Sequence, residues 1–160
     1  MNIDFYERIW MWAAGVIIAI FIAVIGASTV AYGLHPPSHI ETIEPSKIFT
    51  DPRFSKLGTP VEMPDGTIEV QMVAIMFAFA PNEVRVPAGR PIRFRLTSAD
   101  VTHGFMITRT NANTMVVPGY ISQFTTVFRE PGEYLIVCNE YCGVSHHLMA
   151  AKLIVEAPHP

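Results

Sequence analysis

Between residues 138 and 149 the chain reads Cys-Asn-Glu-Tyr-Cys-Gly-Val-Ser-His-His-Leu-Met. Cys138 and Cys142 are the two cysteines of the protein, and His146, His147 and Met149 follow them closely. Thiolate, imidazole and thioether are soft to borderline donors, suited to copper or zinc and ill suited to magnesium or calcium. Two cysteines four apart also have a plainer reading. They can close a disulfide in an oxidising compartment if their Cα separation and Cβ directions allow, leaving the histidines solvated and Met149 in the core. Five ligand-type side chains in twelve positions favour a metal. Zinc is satisfied by two Cys and two His and has no use for the Met. A mononuclear blue-copper site takes two His, one Cys and a weak axial Met. Two thiolates can instead bridge two coppers, each then needing one terminal imidazole. That arrangement calls for a further histidine, and His103, in Asp100-Val-Thr-His-Gly-Phe105, is the best placed.

Sheet must hold these residues. Tyr134–Cys138 and Ala151–Glu156 read as strands on either side of the loop, a common way to fix a metal rigidly. From Thr67 onward the pattern is of short strands with turn punctuation: Ile68–Phe79, Val84–Val86, Ile92–Leu96, Gly104–Ile107, Phe124–Phe128, Tyr134–Val137 and Lys152–Val155. Arg93-Phe-Arg-Leu96 alternates with period two, as a half-buried strand does. Pro-Gly pairs at 118–119 and 131–132 mark turns. Short strands this dense indicate a mainly β domain, a sandwich or a Greek-key barrel.

The rest of the chain divides in two. From Ile9 to Leu34 there is no Asp, Glu, Lys or Arg, and that run of 26 residues is long enough to cross a bilayer. Trp10, Trp12 and Tyr32 stand near its ends, where interfacial aromatics belong. The run is too long for the apolar core of a signal peptide, and no small-residue cleavage motif closes it, so an uncleaved anchor is expected. Arg8 and the α-amino group precede the span, and no Lys or Arg follows until Lys47. The positive-inside rule then places the N-terminus in the cytoplasm and the β domain outside the cell membrane. Residues 35–66 hold six prolines (Pro36, Pro37, Pro45, Pro52, Pro60 and Pro64), which disfavour helix and central strand. The expected organisation is a head and single span over 1–34, an extended linker over 35–66 lying along a partner or the domain surface, and the metal-bearing domain over 67–160. His35 and His39 are read as solvated or interfacial. A net charge of −3 without a basic tract argues against nucleic acid. Half the residues are hydrophobic and mean hydropathy is +0.31, much of it from the anchor.

The spacing Cys138-x3-Cys142-x3-His146-x2-Met149, with His103 in a D-V-x-H setting, resembles the CuA site of cytochrome c oxidase subunit II. Ser98–Phe105 and Pro131–Cys138 resemble that family too, and the single span and short chain look most like the B-type haem–copper oxidases. The resemblance implies a cupredoxin-like Greek-key β-barrel behind one N-terminal transmembrane helix. It implies a dinuclear copper centre with Cys138 and Cys142 as bridging thiolates, His103 and His146 as terminal imidazoles, and Met149 and the main-chain carbonyl of Glu140 as weak ligands. Family spacing selects His146 over His147, and Asp100 matches an acidic position beside the first histidine. The implied role is to take electrons from cytochrome c or a similar soluble donor and pass them to haem in oxidase subunit I, where oxygen is reduced. Many members place a tryptophan near the copper; here Phe77 and Phe79 occupy that stretch, and both tryptophans lie in the span. Other readings are the copper module of a nitric-oxide or nitrous-oxide reductase, a mononuclear blue-copper carrier, a copper chaperone, and a metal-free structural subunit with a disulfide.

Overall fold

The computed structural model describes residues 4–32 and 41–157. His35, His39, Pro36 and Pro37 lie outside those residues. The chain forms two compact units, divided after His39. The first is α1 (Phe5–Tyr32), which takes in Glu7 and Arg8 as well as the apolar run as far as Tyr32. Asp4 caps it: its carboxylate accepts the Tyr6 N–H at 3.3 Å and its carbonyl accepts the Arg8 N–H at 3.0 Å. Glu7 in the first turn complements the positive end of the helix dipole. The helix is long and apolar enough to cross a membrane.

Among its described residues the second unit has eleven strands: β1 (Glu41–Thr42), β2 (Val61–Glu62), β3 (Ile68–Ile75), β4 (Ala78–Ala80), β5 (Glu83–Pro87), β6 (Pro91–Ser98), β7 (His103–Ile107), β8 (Asn113–Val116), β9 (Tyr120–Val127), β10 (Gly132–Val137) and β11 (Ala150–Glu156). One sheet runs β1-β9-β6-β3-β2 with β4 paired to β3; the other runs β5-β11-β10-β7-β8. Period-two alternation explains how they face. Ile68, Val70, Met72 and Ala74 of β3 and Ile92, Phe94 and Leu96 of β6 point into a shared core. Phe105 and Ile107 of β7, Tyr134 and Ile136 of β10, and Leu153 and Val155 of β11 meet them from the other sheet. Phe94 sits amid Phe105, Phe124 and Phe128, with ring centroids 5.3 to 6.3 Å away.

Two strand readings change. The run Ile68–Phe79 is not one strand: it folds back at Met76–Phe77, pairing Ile75 with Ala78 and Ala74 with Phe79. The Phe77 backbone is left-handed, with φ 66°. Strand β8 (Asn113–Val116) and the first half of β9 were not expected from the pattern. Each mixes polar and apolar residues and carries one buried apolar side chain, Val116 in β8 and Ile121 in the first half of β9, which is too little alternation to mark a strand.

Pro-rich residues 41–66 supply the two end strands of the first sheet, β1 and β2, and between them 3₁₀ turns at Pro45–Thr50 and Pro52–Phe54. Ile43, Ile48 and Phe54 form a second apolar cluster with Val73 and Ile121. Arg95 fastens this layer by binding both carboxylate oxygens of Glu41, at 2.6 and 2.7 Å, and Arg53 bridges Glu41 and Asp51 at 2.9 and 2.7 Å. The Arg53 side chain holds the Asp51 carboxyl down at about 2.

Candidate metal centre

Strand geometry brings four of the candidate side chains to one pole of the barrel. His103 opens β7 on the same face as Phe105 and Ile107, so period two sends it inward, and it is fully buried. Cys138 continues the inward row Tyr134, Ile136 of β10, and Met149 begins the inward row Ala151, Leu153, Val155 of β11. The antiparallel pairing of β10 and β11 runs on past Val137–Ala150, with the Cys138 N–H donating to the Met149 carbonyl at 3.1 Å. Cys142 is buried at the same pole.

The loop between these strands is held by short local bonds. The His146 N–H donates to the Gly143 carbonyl and the Met149 N–H to the His146 carbonyl, both at 3.1 Å. The resulting 3₁₀ turn, His146–Leu148, explains the two-residue gap between His146 and Met149. Residues three apart eclipse in such a turn, so His146 and Met149 share a side and His147 between them faces solvent. Gly104 lets the loop lie down on β7. A Cβ there would stand 2.0 Å from Asn139 Oδ1 and 2.8 Å from the Glu140 nitrogen. Asn139 is tied in turn to Asn113 of β8 at 3.2 Å.

The donor atoms converge. Cys138 Sγ and Cys142 Sγ are 3.8 Å apart as free thiols. His103 Nδ1 lies 3.9 Å from Cys138 Sγ, and His146 Nδ1 lies 3.6 Å from Cys142 Sγ. Met149 Sδ is 3.7 Å from Cys142 Sγ, and the Glu140 carbonyl oxygen is 3.1 Å from Cys138 Sγ. His103, Cys138 and Cys142 form a cluster whose ligand atoms all lie within 4.8 Å of one another. Metal–thiolate bonds of about 2.3 Å set two sulfurs about 3.8 Å apart when they subtend about 110° at one ion. The spacing therefore fits sulfurs that share a metal, and it is well beyond the roughly 2 Å of a disulfide. The mix of two thiols, two imidazoles and a thioether fits copper.

Asp100 supplies the second half of the His103 geometry. Its Oδ1 lies 2.7 Å from His103 Nε2, so that nitrogen carries the proton and Nδ1 turns its lone pair to the sulfurs. Burial works to raise the Asp100 carboxyl, but hydrogen bonds from His103 and from the backbone N–H groups of Val101 and Met76 outweigh it and hold the group below the usual range. Burial pushes the Cys142 thiol up, and the adjacent Cys138 adds to this; the Phe77 backbone N–H works the other way.

The remaining candidates fall outside the cluster. Phe79 is buried in the core against Phe105, with ring centroids 5.6 Å apart. Phe77 is half-buried and its ring faces Gly143 in the loop. Its N–H and that of Met76 are contributions that sequence reasoning missed, because no Gly, Asn or Pro marks the turn that places them. Exposed apolar side chains surround the pole: Tyr141, Val144 and Leu148 from the loop, and Met76 and Val101 beside it. The Tyr141 ring stands edge-on to His146 at 5.9 Å.

Known proteins share this arrangement of sequence and fold. A family model described as cytochrome c oxidase subunit II, periplasmic domain, matches residues 63–157. One cytochrome c oxidase subunit 2 of Thermus thermophilus is 33% identical over 154 residues, covering 94% of this chain and 92% of that one. A second Thermus thermophilus subunit 2 is 35% identical over 125 residues, covering 78% and 93%. Among solved structures, a heme–copper terminal oxidase dimer has a chain that superposes with a TM-score of 0.65 at 30% identity, covering 91% of this chain and 99% of that one. The periplasmic domain of cytochrome oxidase subunit II from Bradyrhizobium japonicum superposes at 0.52 with 20% identity, covering 56% and 83%, a likeness of fold. The two facing sheets are thus the cupredoxin-like barrel that was expected.

Proposed function

The chain belongs to the cytochrome c oxidase subunit II family, and on that premise we propose that it is the copper-bearing electron-transfer subunit of a haem–copper terminal oxidase. The observation that carries the reading is the pair of free thiols 3.8 Å apart, with an imidazole nitrogen beside each. Cys138 and Cys142 would bridge two coppers, with His103 and His146 as terminal ligands and the Met149 thioether and Glu140 carbonyl as weak ones. A thiolate-bridged copper pair supplies one-electron transfer with the charge change spread over two metals. The chain's own residues keep that change small. His103 stands on a packed strand, Cys138 and Met149 directly adjoin the ends of two others, the 3₁₀ turn holds His146 beside Met149, and Asp100 fixes the His103 ring. Burial of both sulfurs excludes water from the bridging atoms.

The electrons would come from a soluble donor such as cytochrome c and leave to haem in oxidase subunit I. The donor's seat would be the rim of exposed apolar side chains Tyr141, Val144, Leu148, Met76 and Val101, where the Tyr141 ring stands edge-on to His146. The test is copper stoichiometry with electron paramagnetic resonance on the full chain in detergent. Two coppers sharing one unpaired electron equally are expected. One copper with a localised signal would replace the dinuclear reading with a mononuclear carrier, and a copper-free chain with Cys138 oxidised to Cys142 would end it.

A further inference from the structure

Gly104 lies inside a strand whose backbone does not call for glycine. It belongs to β7 and pairs with Met115 of β8 as any strand residue would. A glycine in such a place marks close approach by another part of the chain. Its neighbours His103 and Phe105 are buried in the interior, so position 104 faces out of the sheet. Met115 beside it is exposed, yet Gly104 is buried.

The start of the metal loop is what covers it. Strand β10 pairs with β7 as far as Val137 and Met106, and in that register Asn139 comes opposite Gly104. There the chain lies over β7 instead of continuing beside it. A Cβ on Gly104 would stand 2.8 Å from the Glu140 nitrogen and 2.9 Å from Asn139 Cγ, with Asn139 Oδ1 closer still. The Asn139 Nδ2 donates to Asn113 Oδ1 at 3.2 Å, and Asn113 is on β8, the strand beyond β7. The bare strand position is thus a seat, and the Asn139 side chain is an arm that holds the loop on it. Glu140 is the residue so seated, and its carbonyl oxygen lies 3.1 Å from Cys138 Sγ.

We propose that Gly104, together with the Asn139–Asn113 arm, is a positioning element of the metal centre: the absent side chain sets how closely Glu140 lies on β7, and so where its carbonyl stands beside Cys138. The proposal rests on the copper reading above and deepens it. A carbonyl oxygen is a harder donor than a thiolate or a thioether and favours the oxidised, more positive state of the metal; weak ligands of this kind tune copper potentials. Moving the carbonyl away removes that preference and raises the reduction potential. The seat and its arm then contribute to setting the potential although none of the three residues is a ligand.

In the full chain, copper-loaded in detergent, Gly104→Ala is expected to raise the reduction potential and to change how the unpaired electron is shared between the coppers, because a backbone nitrogen must give way to the new methyl group. Gly104 adjoins His103, so two further variants test the effect from outside the ligand set. Asn113→Ala and Asn139→Ala each cut the arm. Each is expected to raise the potential by less than Gly104→Ala does, and the double variant by no more than either alone, as the two ends of one contact behave. Additive shifts, or none, in the asparagine variants would overturn the arm, and an unchanged potential in Gly104→Ala would overturn the whole proposal. A copper-free comparison of wild type with Asn113→Ala guards against a Gly104→Ala chain that does not fold. The Glu140 amide resonance should move in Asn113→Ala; a resonance that stays in place would also overturn the proposal. A wild-type chain that fails to hold two coppers while that resonance still moves counts against the copper reading alone.

Discussion

Asp100 has four bonds to make and only two oxygens to make them with. It accepts from His103 Nε2, from the N–H groups of Met76 and Val101, and from the Ser98 hydroxyl. Removing it frees the His103 ring to turn and to move its proton to Nδ1, the atom that the proposed copper site would take as ligand. Outer partners of ligating histidines are worth roughly 10- to 100-fold in metal affinity. Asp100→Ala is therefore expected to lose copper affinity by about that factor, and Asp100→Asn, which still offers an oxygen to Nε2, to recover part of it. A chelator-competition titration of the full chain measures both; equal affinity in Asp100→Ala and wild type would remove Asp100 from the site. The convergence of these side chains was readable in advance. Cys138, Cys142, His146 and Met149 announce themselves by type and spacing, and His103 and Asp100 by their shared strand end. The backbone contributions were not readable. The Met76 and Phe77 amides and the Gly104–Asn139 contact depend on which loop lies against which, and no residue type encodes that locally.

At the scale of elements, the difference lies in how β3 is covered. Its even residues fill the barrel core, as the alternation implies. Its odd residues Glu69, Gln71 and Val73 are buried too, beneath residues 41–66. The prolines there rule out helix and central strand, which is why the stretch reads as an extended linker. Yet two of them sit at the first positions of 3₁₀ turns, where a missing N–H is harmless. Those turns place Ile48 and Phe54, both almost wholly buried, onto Val73 and Ile121. A structural domain beginning at residue 67 implies that Ile48→Ala costs almost nothing. The packing implies a cost of about 2–5 kcal/mol, the usual range for emptying a buried Ile site. Urea denaturation of the full chain in detergent, followed by the circular dichroism of the sheet, distinguishes these; tryptophan fluorescence would not serve, since Trp10 and Trp12 both lie in α1. A cost below about 0.5 kcal/mol, typical of a surface change, would return residues 41–66 to the status of a linker.

At the scale of the whole molecule, the anchor and the barrel have opposite chemistries, and the side on which the barrel lies decides what its thiols meet. Twenty-eight helical residues rise about 42 Å against a hydrocarbon layer of about 30 Å, so α1 crosses once with tilt or with its ends in the headgroups. Arg8 closes the first turn of that helix, and no Lys or Arg follows in the chain until Lys47. Positive charge flanking a span is retained on the cytoplasmic side, which would put the barrel on the outer face. There two free thiols 3.8 Å apart face an oxidising compartment, and a bound metal is what would keep them from closing on each other. The prediction is that a protease-cleavable tag placed after β11 is cut in intact spheroplasts and protected in inside-out vesicles. Arg8→Glu combined with two lysines placed just after Tyr32 should reverse the pattern in a measurable fraction of chains. Protection of the wild-type tag in spheroplasts would put the barrel in the cytoplasm and remove the case for a donor arriving from outside.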